Sequence, residues 1–206
     1  MSSVRSRRAA VQAPPMQVTM QQQVVSRLAS GRIRALALPP KRFVRLRPGD
    51  LLWVGEAFKI EEGQPRLGEL LVRYSGSVRP VPVAWPRALA RPHGGPRLGP
   101  GMPVECSRWT LRVLAAEMRH LRGLTDAEAV ECGAEAVEGG WGPPGADESV
   151  FRPFSASWDA VGYIFDADHG FGAAEELSDV MFIRFEALAR NVGHFVPGMS
   201  SGGARA

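Results

Sequence analysis

The sequence predicts an α+β fold with many short strands, two or three short helices and long loops. Three observations carry that expectation. Strand-like runs rich in Val, Leu, Trp and Phe recur between turn signals, as in LLWVGEAFKI (51–60), GELLVRYSG (68–76) and SDVMFIRFEAL (178–188). Two capping-box patterns, Thr19 with Gln22 and Thr125 with Glu128, open only short helical stretches. The chain has 206 residues, 45% of them hydrophobic, which suits one domain with a proper core. A small barrel fits this tally.

Residues 1–15 read as a disordered basic tail, 16–190 as the folded domain and 191–206 as a flexible C-terminal tail. MQQQVVSRLAS (20–30) reads as a helix after Thr19, with Gly31 at its C′ position. RIRALAL (32–38) follows as a strand that Pro39 and Pro40 stop. RPGD (47–50) is a turn, and 51–60 is a strand. Residues 68–76 and 77–85 form a hairpin around Ser75-Gly76-Ser77, with Pro80 and Pro82 forcing its second arm to an edge. Residues 86–103 are a Pro/Gly loop. SRWTLRVLAAEMRHL (107–121) alternates as a long strand, with Trp109, Leu111 and Val113 opposite Arg108, Thr110 and Arg112; a helix competes for its second half. DAEAVECGA (126–134) is a short helix, 138–149 a loop, 151–164 contains a helix, and 178–188 closes the domain as a strand.

Charge is unevenly spread. Residues 1–50 hold ten Lys or Arg and one acid, whereas the remainder holds fifteen bases and twenty acids. A basic block beside an acidic remainder points to a polyanion partner, although a bias of 23 Arg to two Lys also arises from genome composition. Cys106 and Cys132 are too few for a disulfide framework, and the four histidines lack ligand spacing, so no metal and no cofactor is expected. No apolar run approaches the length of a bilayer, and the N-terminus lacks a secretory apolar stretch, so a cytoplasmic protein without a membrane partner is expected.

The order of several blocks resembles the ASCH family, which has a PUA-like β-barrel, in its longer phage and prophage version. Ala29-Ser30-Gly31-Arg32 resembles the family's helix-then-turn. Pro48 through Glu56 resembles its GD-x-L-W-V-x-E strand, and Met102-Pro103 with Ser107-Arg108 its lead-in to the central strand. Leu124 through Ala129 with Gly133 resembles its helix motif, Phe151 through Asp159 the segment before the final strand, and Val180 through Phe185 that strand. The resemblance covers about residues 17–188 and implies a cleft between barrel and first helix that takes RNA or modified nucleosides. Some small members hydrolyse an amide on a modified cytidine with a lysine and threonine from the turn and a glutamate from the later helix. Those positions are Ile33, Leu36 and Cys132 here, so that mechanism is not expected and no catalytic residue is assigned.

Three readings follow. The first is a non-catalytic module, a pseudoenzyme, that binds RNA or another polyanion. Arg32, Arg34, Lys41, Arg42 and Arg108, with Arg45 and Arg47, would meet phosphates; Trp53 or Trp109 would stack a base unless they serve the core; and Glu56 lies in the same strand block. The second is a divergent amidohydrolase or nuclease acting on RNA or modified nucleosides, assembled from Lys41, Lys59, Glu56, Ser107 and Thr110. The third is a phage or prophage accessory protein, virion-associated in that case, docking onto a protein partner through the loops at 86–103 and 138–150 and the basic tail.

Overall fold

The computed structural model describes residues 14–63, 66–147, 151–176 and 179–196. All but the end of the predicted N-terminal tail, and positions 197–206 of the C-terminal one, lie outside them.

The chain opens with a strand the sequence reading missed, β1 (Met16–Thr19). Thr19 therefore belongs to a ladder and does not cap the helix. The N-cap of α1 (Gln22–Ala29) is Gln21, which makes no side-chain cap bond. The helix is held instead by burial of Val24, Val25 and Leu28. Gly31 takes φ 70° as its C′ position requires. β2 (Ala35–Leu38) is shorter than expected, because the amide of Arg34 bonds the Glu131 carbonyl at 2.9 Å. Pro40 both ends that strand's run and begins α2 (Pro40–Phe43), where its fixed φ suits a first helical position.

The predicted strand 51–60 is two strands, β3 (Leu51–Gly55) and β4 (Phe58–Ile60), broken at Glu56. β5 (Glu69–Tyr74) and β6 (Val81–Ala84) form the predicted hairpin, and β6 is an outer strand, where Pro82 leaves no internal ladder bond unmade. The loop 86–103 contains one short strand, β7 (Gly95–Arg97), and a 3-10 turn at Gly99–Gly101. β8 (Thr110–His120) is a strand throughout; pairing with the closing strand from end to end excludes the helix. α3 (Asp126–Glu131) starts with the predicted reciprocal capping box and stops three residues early. A further correction falls in the predicted loop 138–149, where β10 (Gly140–Gly142) pairs with β9 (Glu135–Val137). α4 (Ser157–His169), α5 (Ala173–Glu176) and β11 (Asp179–Leu188) complete the elements. Residues 191–196, expected in a flexible tail, make a 3-10 turn whose Val192 is fully buried.

The fold is α+β. Its main sheet runs β1-β3-β8-β11-β2, and a smaller sheet runs β6-β5-β4-β7. Alternation along β11 divides the interior: Met181 and Ile183 join a core with α1, while Val180 and Phe182 join one with α3 and α4. β3 does the same, sending Leu52 and Val54 toward α1 and Leu51 and Trp53 toward the small sheet. β3 is consequently buried at all five positions, as expected of a strand covered on both faces. The small sheet and the main sheet meet at the start of β8, and the break at Glu56 sits in that junction.

Candidate functional site

At the junction, the Glu56 side chain is only 1% exposed, and a buried carboxylate needs compensation. Arg108 supplies it with a bidentate pair, Nε to Oε1 at 2.7 Å and Nη2 to Oε2 at 2.8 Å. The guanidinium lies over the Tyr74 ring, 4.4 Å from its centroid. The Tyr74 hydroxyl donates to the Cys106 carbonyl at 2.7 Å, and burial pushes its phenol above the ordinary value, so the ring is neutral. Arg108 is thus clamped on one edge and one face, and its side chain is 38% exposed.

Its exposed part lines a cleft of about 820 Å³. One wall is the outer strand β6 and Trp85; the other is Arg190, Asn191 and His194. The back wall is rigid. The Asn191 amide donates to the carbonyls of Val104 at 2.6 Å and Ser107 at 2.7 Å, and its Oδ1 accepts from the Gly193 amide. The Trp85 indole donates to the Leu89 carbonyl at 3.2 Å, which sets the ring's orientation. Arg190 is exposed and forms no ion pair among the described residues. An aromatic ring, two guanidiniums and a preformed wall can hold a flat, anionic group.

The other sequence-predicted residues do not converge here. Arg32 and Arg34 are exposed at one end of β2, and Lys41 and Arg42 at the other. None of the four has a carboxylate partner among the described residues; Arg42 lies over the Phe43 ring, and the Arg34 Nε donates to the Gly31 carbonyl. Trp53 is packed in the core beneath the small sheet, so its ring does not serve as a stacking face. Trp109 packs against the α1 core.

The turn at 31–34 does meet α3. A Cβ on Gly133 would stand 3.0 Å from Ile33 Cδ1, and the Arg34 amide reaches Glu131. The meeting is apolar, however: Ile33, Leu36 and Cys132 are all buried in core clusters. Burial first, then the Glu131 and Glu128 carboxylates, push the Cys132 thiol up, so it is no thiolate. Cys106 is likewise pushed up to about 12, by burial and then Glu105. Glu131 and Glu128 are engaged with Arg184, and Glu128 with Arg119. The hydroxyl of Ser107 is bonded to the Val54 carbonyl at 2.9 Å, and that of Thr110 to the Arg190 carbonyl at 2.8 Å.

Sequence reasoning found Arg108 and Glu56 but missed Tyr74, Trp85, Arg190 and Asn191. Trp85 closing a Pro-rich strand was the one available signal. Asn191 has a short local bond to the Gly193 amide, but the carbonyls that tie it to the cleft, those of Val104 and Ser107, lie more than eighty residues away.

No protein-family model matches this chain, and no curated protein or solved structure does. The cleft is therefore interpreted from its own chemistry.

Proposed function

We propose that this protein is a non-catalytic module that binds RNA, or another nucleic acid, by an unpaired nucleotide in the Arg108 cleft. The observation that carries the reading is the clamped guanidinium of Arg108 at the mouth of a preformed cleft that also presents Trp85 and Arg190. A base stacks on an aromatic face, and the arginines meet the phosphate. The cleft's volume of about 820 Å³ is of the size that takes a nucleotide. The ASCH-like order of blocks, and with it a PUA-like arrangement of α1, β3, β8 and β11, is part of the same proposal.

The absence of catalysis is supported by how the candidate reagents are spent. Both Glu56 oxygens are bonded to Arg108, Ser107 and Thr110 donate to main-chain carbonyls, and Ile33 and Leu36 carry no reactive group. The test is a fluorescence-anisotropy titration with labelled octauridylate at about 50 mM and about 200 mM salt. Binding should weaken with salt. Trp85→Ala should cost roughly tenfold or more in affinity, in line with about 1–3 kcal/mol per stacked base. Unchanged affinity in both Trp85→Ala and Arg190→Gln would remove the ligand from this cleft.

A further inference from the structure

A second cleft of about 550 Å³ adjoins the first. Tyr74 and Ser77 line both, so the two lie on either side of the turn that joins β5 to β6. The second cleft is lined by Lys59, Arg73 and Arg97. Lys59 and Arg73 stand opposite each other on paired strands, and both reach the same carboxylate, Glu61, at 2.9 and 2.6 Å. Two cations therefore share one acid. Arg97 pairs in register with the buried Phe58, so its side chain lies on the opposite face of the small sheet from Lys59 and Arg73, where its Nη2 donates to the His93 carbonyl. Two half-compensated cations suit an anion.

Resting on the nucleotide-binding reading above, we propose that the ligand is a single strand longer than one nucleotide. Its backbone continues from the Arg108 cleft past the Tyr74–Ser77 turn into the Lys59–Arg73 cleft. The first cleft has the stacking ring and selects an unpaired base; the second has cations and no tryptophan, and takes backbone phosphates without reading sequence. A mononucleotide would use the first cleft only, so affinity should climb with the second and third nucleotides and then level off.

The experiment compares uridine monophosphate, di-, tetra- and octauridylate on the full chain and on Lys59→Gln/Arg73→Gln, Arg73→Gln and Arg190→Gln, with thermal melts to confirm folding. Expected is a loss of about tenfold or more for octauridylate in Lys59→Gln/Arg73→Gln, with a salt slope shallower by about two, and unchanged affinity for the monophosphate. Arg73→Gln alone leaves Lys59 on Glu61 and supplies the same test without leaving Glu61 unpaired, with a slope shallower by about one. Full octauridylate affinity in both variants, with Arg190→Gln still impaired, overturns the continued path and leaves the single-nucleotide cleft standing. Failure of the unsubstituted protein to bind any of the four ligands removes both.

Discussion

The Glu56–Arg108 pair has unequal partners, and removing either one has unequal consequences. Glu56 is 1% exposed and Arg108 38% exposed. Arg108→Ala strands a buried carboxylate that has no other side-chain partner among the described residues. Breaking a fully buried pair in this way costs about 3–5 kcal/mol, and the partial exposure of Arg108 lets water screen the site, so about 2–3 kcal/mol is expected. Glu56→Gln keeps the shape and one acceptor, and the guanidinium it releases can hydrate through its exposed edge; about 1 kcal/mol is expected. Urea denaturation of both variants and of Arg108→Ala/Glu56→Gln reads these values as shifts in midpoint at constant slope. The cycle should give a coupling of about 1–2 kcal/mol. A cost for Arg108→Ala below that for Glu56→Gln, or coupling under about 0.5 kcal/mol, would refute the assignment of Arg108 as the group that permits Glu56 to be buried.

Four further outcomes follow from the side-chain environments. Burial raises Asp168 to about 7, against a lowering contribution from the Gln21 amide, so the folded state holds its proton more tightly than the unfolded chain; stability from this group is present at acid pH and falls as pH rises from about 4 through 7. Asp168→Asn should flatten that part of the midpoint-versus-pH curve and gain on the order of 1 kcal/mol at pH 8, a value discounted for the side chain's partial exposure. Thr125→Ala removes the α3 cap and should cost about 1 kcal/mol in thermal or urea melts. Gly55→Ala would push a Cβ against the Gln17 amide and to 2.6 Å from the Gly99 carbonyl oxygen, and should cost about 1–3 kcal/mol by the same melts. Arg32→Ala/Arg34→Ala should leave stability within about 0.5 kcal/mol and the octauridylate salt slope unchanged, because neither residue lines either cleft; a slope shallower by about one to two would place them in the interface.

Much of the secondary structure was legible because local chemistry dictates it. The Thr125–Glu128 box, the Gly31 C′ position, the Pro-bearing outer strand and the long alternation of β8 each depend on neighbours in sequence. The misses share a different cause. Thr19 and Gln22 spell a capping box, but parallel pairing with β3 claims Thr19 for a strand. Positions 51–60 look continuous, and only the remote Arg108 explains why the chain turns at Glu56. Strands β7, β9 and β10 are three residues long and rich in Gly or Ala, with too little side-chain pattern to register. Half of the cleft was hidden for the same reason, since Asn191 and Arg190 gain their meaning from segments far away in the chain.

The long ribbon of β8 and β11 is built unevenly along its length. β3 covers the far edge of β8 only across Thr110–Arg112, and the register between β8 and β11 shifts at Arg184/Phe185, passing over Leu114. Beyond that bulge, Leu114 and Met118 are exposed, and β8 is hydrogen-bonded along β11 alone among the described residues. The two ends of one strand should therefore exchange their amide protons on separate clocks. The half between β3 and β11 can open only when the central sheet opens, and its protons should persist to the timescale of global unfolding. The half past the bulge can peel from β11 as a local event and exchange earlier. The bulge thus divides a continuous strand into an anchored segment and a segment that opens alone, with the boundary at a single residue.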